Sequence, residues 1–162
     1  MKLKNLKITN YRCFKKAELD FDENMTLVVG QNGAGKTTIL DAVAVSIGTF
    51  LLGIDGGVSR GISKDDARYE FYDLDGTIDP QHQFPVKIES IGDCRDKQNV
   101  KWVRSLNSEN GKTTIKDAGE LTSIAKKVQQ QIMMGYKSLI LPLISYYGTG
   151  RLYAQKKEKR NI

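Results

Sequence analysis

The residues Gly30-Gln31-Asn32-Gly33-Ala34-Gly35-Lys36-Thr37 fit the pattern G-x-x-x-x-G-K-[ST]. That spacing suits one job, the cradling of a nucleotide's phosphates. Glycines let successive backbone N–H groups turn toward one anion, and the helix that follows adds the partial positive charge of its N-terminus. In this reading Lys36 reaches the β- and γ-phosphates and the Thr37 hydroxyl holds Mg²⁺. Thr38 lies one residue further on, near the α-phosphate. The plainer alternative is a glycine-rich turn that merely opens a helix. The flanking sequence argues against it.

Those residues need a strand before them and a helix after them. Met25 to Val29 reads as a short buried strand, and Ile39, Leu40, Val43 and Ile47 recur at helical spacing over 35–47, with Gly48 as the stop. Upstream, residues 2–9 and 16–21 alternate apolar and polar side chains, as half-buried strands do. Residues 51–83 read as a glycine-rich loop region. Strands are expected over 84–90 and 100–106, with Asn110-Gly111 as a hairpin turn into 112–116. Asp117 is placed to cap a helix over 118–134 that carries Leu121, Ile124, Val128 and Ile132 on one face and ends at Gly135. Leu139 to Tyr147 reads as a buried apolar strand, broken by Gly148-Thr149-Gly150.

The bulk composition narrows the function classes. With 162 residues, 40% hydrophobic and 27% charged, the chain has the make-up of one globular domain or most of one. No continuous apolar run reaches the roughly 18 residues of a membrane helix, and the N-terminus lacks the apolar stretch of a signal peptide. Cys13 and Cys94 lie far apart and His82 is the sole histidine, so no metal-ligand spacing is present. A reduced, cytoplasmic setting follows as the expectation. The net charge of +6 gathers at the two ends, in the lysines and Arg12 of residues 1–16 and in Lys156-Lys157-Glu158-Lys159-Arg160. A nucleic-acid surface is one reading of that charge. Solvated strand edges and a basic tail are the favoured one, since no aromatic side chains interleave with the cations.

Three look-alikes are set aside. Gly111-Lys112-Thr113-Thr114 repeats the letters of the phosphate loop, but Leu106 stands where its first glycine belongs. Val58-Ser59-Arg60-Gly61 faintly echoes a transporter signature on the wrong side of the intervening strands. Asp73-Leu74-Asp75-Gly76 matches a GTPase D-x-x-G without the N-K-x-D that reads guanine. His82 sits among Gln and Pro and reads as exposed.

Ile8-Thr9-Asn10-Tyr11-Arg12-Cys13-Phe14, then Leu19-Asp20-Phe21, then Leu27 through Ala42, resembles the opening of the RecF, SMC and SbcC-type ATPase heads, which share the ABC-type fold. Leu141 to Leu152 looks like a segment of a narrower set, bacterial ATP-binding proteins related to anti-phage systems and overcoming-lysogenization-defect nucleases. The resemblance implies an α/β P-loop NTPase fold, the first lobe of an ABC-type head, with a mixed sheet, an adjoining antiparallel sheet and flanking helices. It places a basic residue near nucleotide or DNA at the position of Asn10 and Arg12. A surface arginine at a strand end is the equal alternative.

The resemblance also implies a second lobe carrying a Walker B Asp-Glu, a signature motif and a switch His. No apolar run followed by Asp-Glu occurs in the sequence, and no signature follows in its second half. The expectation is therefore a first lobe over 1–152 and a basic tail over 153–162 leading to a missing second lobe. ATP and Mg²⁺ are the expected ligands. Heads of the full-length protein would dimerise around ATP and use its hydrolysis as a conformational switch in DNA metabolism or phage defence, with DNA or an effector nuclease as further partners. The chain alone is expected not to turn over ATP. The alternatives are a complete small P-loop enzyme, either GTPase or kinase, and a nucleotide-gated interaction module that does not hydrolyse.

Overall fold

In the computed structural model, residues 1–148 are described except 75 and 137. Lys2–Tyr11 (β1), Phe14–Asp20 (β2), Val86–Cys94 (β5) and Lys97–Leu106 (β6) form a four-stranded antiparallel sheet in the order β2-β1-β5-β6. Tyr69–Leu74 (β3) and Thr77–His82 (β4) form a separate antiparallel hairpin. Two helices, Lys36–Gly48 (α1) and Gly119–Met133 (α2), complete the framework.

The sheet follows from its side-chain alternation. Val86, Ile88, Ser90, Gly92 and Cys94 are buried on β5 while the residues between them are not. On β6, Val100, Trp102, Arg104 and Leu106 are buried. Leu6 and Ile8 of β1 join them, and Asn5, Lys7 and Thr9 turn to the other face. α1 packs on the buried face through Ala42 and Val45.

A 3₁₀ turn, Thr49–Gly53, continues α1 past the expected stop at Gly48 and packs against α2. A Cβ on Gly53 would fall 2.5 Å from both Ala125 Cβ and the Thr122 carbonyl, so only glycine permits this approach. Together α1 and this turn make an 18-residue stretch that is apolar enough to cross a membrane by length and composition. Half of it is buried inside the fold, as a core helix is.

Several expectations need correction. Residues 25–29 belong to neither sheet, and Met25, Leu27 and Val29 are each more than three-quarters exposed. Both described sheets are antiparallel, so the mixed sheet is not formed among the described residues. An apolar run becomes a strand only when a neighbour completes its ladder, and residues 25–29 join no ladder among the described residues. Residues 139–147 are likewise outside any strand, with Ile140 and Leu143 exposed.

Elsewhere the loop region 51–83 contains the β3–β4 hairpin, and β5 and β6 run longer than expected. Residues 112–116 form no strand. Thr114 instead ties the chain back to β6 through a backbone bond to Ser105. Ala118, not Asp117, precedes α2, and Asp117 lies in a short 3₁₀ turn. Ile132 is exposed, whereas Leu121, Ile124 and Val128 are buried. His82 is half-buried at the end of β4, between the rings of Tyr69 and Phe84. The break at 149–150 and the tail over 153–162 lie outside the described residues.

Candidate nucleotide-binding site

The loop 30–35 enters α1 through two left-handed residues, Gly33 at φ 84° and Gly35 at φ 89°. Lys36 is the first residue of the helix. The Ala34 N–H donates to the Gln31 carbonyl at 3.2 Å, and the Ile39 N–H donates to the Gly35 carbonyl at 3.0 Å. The Lys36 ammonium folds back over the loop and donates to the carbonyls of Gly30 and Gln31, both at 2.7 Å. Gly30, Gln31, Asn32, Gly33, Ala34 and Thr37 are exposed, and Thr38 is buried under the loop.

The β1–β2 turn supports the loop from below. A Cβ on Gly35 would lie 2.6 Å from the Phe14 ring and 2.8 Å from Cys13 Sγ. The Cys13 thiol donates to Thr38 Oγ1 at 3.7 Å. The loop's last glycine is therefore fixed twice, by its backbone angle and by the turn beneath it.

Arg12 stands in that turn with φ 50°, a conformation that costs a non-glycine residue roughly 1–2 kcal/mol. Contacts on both sides hold it there. Its backbone N–H donates to the Asp66 carbonyl at 2.8 Å. Its Nε donates to Asp66 Oδ1 at 2.8 Å and its NH1 to Asp41 Oδ2 at 2.5 Å. Arg60 NH1 meets the other Asp41 oxygen at 2.8 Å, and the Tyr146 hydroxyl donates to that same oxygen. Asn10, expected beside Arg12 as a ligand-facing residue, donates to the Pro85 carbonyl at 3.2 Å and so fastens β1 to the start of β5.

The electrostatics follow from these contacts. Burial pushes the Asp41 carboxyl up, but hydrogen bonds from Tyr146 and Arg12 and the charges of Arg60 and Arg12 outweigh it. The group is held below the ordinary carboxylate value. Burial, aided by Asp66, drives the Tyr11 phenol upward. Burial also raises the Tyr146 phenol, and its bond to Asp41 adds to the effect.

The motif pointed to residues 30–38 and the family resemblance to Arg12; in the structure the turn that carries Arg12 packs against Gly35, while the Arg12 side chain pairs with Asp41 and Asp66. Neither gave any sign of Asp41, Arg60, Asp66 and Tyr146, which converge from four separate segments. Among the described residues there is no group of three or more His, Cys, Asp and Glu that could hold a metal ion.

The chain matches the family described as AAA domain over residues 5–162. It is similar to the DNA replication and repair protein RecF of Phocaeicola vulgatus, 32% identical over 103 residues, covering 62% of this chain and 26% of that protein. The corresponding protein of Clostridioides difficile is 46% identical over 43 residues, 26% of this chain and 12% of its own length. The DNA double-strand break repair Rad50 ATPase of Methanosarcina mazei is 48% identical over 42 residues, 26% of this chain and 4% of that protein. The chain spans about a quarter or less of the length of these curated relatives. By the match across nearly all of its residues, the chain belongs to the AAA domain family, in the RecF/SMC/SbcC-like class of ABC-type ATPase heads.

Proposed function

We propose that residues 30–38 bind ATP·Mg²⁺, with Lys36 on the β- and γ-phosphates, Thr37 on Mg²⁺ and Arg12 beside the loop. One observation carries the reading: two left-handed glycines deliver the chain directly into the N-terminus of a 13-residue helix whose first residue is Lys36. Calorimetric titration with ATP·Mg²⁺ tests it. Lys36→Ala removes a charge-assisted contact, which weakens binding by about 10- to 150-fold. Equal affinity in both proteins rules the assignment out.

In the full-length protein this segment acts as the first lobe of an ATPase head, residues 1–152, followed by a second lobe after a basic linker. The exposed apolar positions of 25–29 and 139–147 support that reading, since they suit strands awaiting neighbours. Two heads then close on ATP, and hydrolysis switches their conformation in the cytoplasm. The similarity to RecF and to the Rad50 ATPase favours DNA repair as the setting. Phage defence, with a nuclease partner, rests on the resemblance of residues 141–152. Any contact with DNA through the basic N-terminal residues is weak, electrostatic and independent of base sequence. It should collapse between about 50 and 200 mM salt, and DNA binding that survives that range contradicts it.

A further inference from the structure

The geometry points to Asp41 as a positioning residue, a buried carboxylate on α1 that fixes the guanidiniums of Arg12 and Arg60 together beside the β1–β2 turn that supports the phosphate loop, with Tyr146 holding it in place. This rests on residues 30–38 being the ATP·Mg²⁺ site.

Asp41 lies on the helix that Lys36 opens. Its side chain is only 7% exposed, yet three donors from three segments converge on its two oxygens. Arg12 takes one oxygen, while Arg60 and Tyr146 share the other. Asp66, 5% exposed, holds Arg12 from the opposite side and lies 3.8 Å from Arg60. Two arginines and two aspartates thus neutralise one another, which removes the repulsion that would otherwise drive the guanidiniums apart.

The arginines are not used up by this arrangement. A guanidinium has five N–H donors in a fixed fork. Arg12 commits Nε, NH1 and NH2 to the two carboxylates and keeps further N–H groups, on a side chain 28% exposed. Arg60 is 40% exposed. The neighbours of Arg12 touch the loop directly, Phe14 and Cys13 against Gly35 and Cys13 against Thr38. A strained backbone angle at Arg12, held by contacts on both sides, is how proteins hold a group in readiness. Anchoring both guanidiniums beforehand lowers the entropy lost when they meet a phosphate.

Positioning and simple Coulomb attraction predict opposite signs. Removing a carboxylate beside an anion site tightens anion binding if charge alone matters. If Asp41 positions the arginines, Asp41→Asn weakens Mg·ATP binding by about tenfold, the value of one charge-assisted contact. The effect runs through the arginines, so in an Arg12→Gln/Arg60→Gln background the same change alters affinity by less than about twofold.

Calorimetry with Mg·ATP on the four proteins, with circular dichroism and melting as the check on folding, reads both quantities. A folded Asp41→Asn chain that binds Mg·ATP as well as wild type, or better, overturns the proposal. So does an equal loss in both backgrounds, which marks general structural damage. If Asp41→Asn does not fold, Tyr146→Phe removes only one hydroxyl from the carboxylate. It should weaken binding about threefold, in the range of a single neutral hydrogen bond, and unchanged affinity overturns the proposal. Lys36→Ala separates the two readings. Binding indifferent to Lys36 sinks the ATP site itself. Binding that needs Lys36 but ignores Asp41 sinks the positioning role alone.

Discussion

The indole N–H of Trp102 donates to the backbone carbonyl of Ser46 at 3.0 Å, and both residues are fully buried. Beside it the Ser46 and Ser90 hydroxyls lie 2.7 Å apart. Through these bonds α1 is tied to β6 and β5, and the phosphate loop inherits its position from the sheet. Trp102→Phe keeps an aromatic ring but deletes the donor and leaves a gap. It should cost about 1–3 kcal/mol, read as a lower urea midpoint with an unchanged slope. An unchanged midpoint means that α1 is held by apolar packing alone.

Gly53→Ala tests the seam between the 3₁₀ turn and α2. The added methyl would fall 2.5 Å from the Thr122 carbonyl and Ala125 Cβ, backbone and a short side chain that cannot swing away. Overpacking of this kind costs about 1–3 kcal/mol. Gly119→Ala, which meets open space within a helix, is the control and should be neutral or mildly stabilising in the same denaturation assay. Equal stability of the two variants would show that α2 shifts freely against its neighbour.

Acid should loosen the Asp41 network. Its folded pKa lies below the ordinary value of 3.8, so the unfolded chain binds the proton more readily. The stabilisation from Asp41 is therefore complete above that ordinary value and is lost as pH falls through the lower folded pKa. Urea midpoints taken from about pH 6 down to about pH 2 should fall less steeply in Asp41→Asn than in wild type. Parallel curves would assign the acid sensitivity to other carboxylates.

Phosphate release by the purified chain should stay at background. The loop and Lys36 can hold and neutralise phosphates, but neither positions an attacking water. The sequence offers no apolar run ending in Asp-Glu to do so. Absence of one such stabiliser costs roughly 10²–10⁵-fold in rate. Sustained turnover that vanishes in Lys36→Ala would instead reveal a complete active site, with Asp73 or Asp75 as the first acids to test.

The phosphate loop was legible because its information is local. Glycine spacing, Lys36 and the periodicity of α1 lie within twenty residues of one another. The strand expected over 25–29 was misread because hydrophobicity reports what a segment can bury, not whether a neighbour is there to pair with it. The β3–β4 hairpin is harder to read because Tyr69 to Leu74 breaks period-2 alternation at Phe71-Tyr72, although Asp75-Gly76 is a hairpin-turn dipeptide, with Gly76 at φ 81°. The cluster around Asp41 was invisible for a different reason. Residues 12, 41, 60, 66 and 146 have no shared period, and only the fold brings them together.

The two left-handed glycines of the phosphate loop differ in how much replacement they allow. Around Gly33 nothing lies within 4 Å of an added Cβ, so only the backbone angle objects. Asn and Asp, the side chains most at ease in that conformation, should survive there in a saturation library. At Gly35 the angle and the underlying turn object together, with Phe14 and Cys13 both inside 3.0 Å. That position should admit a single amino acid. Lineages of this chain are then free to drift at 33 and frozen at 35, and a second-site change reopening position 35 would have to arise in the β1–β2 turn, at residue 13 or 14.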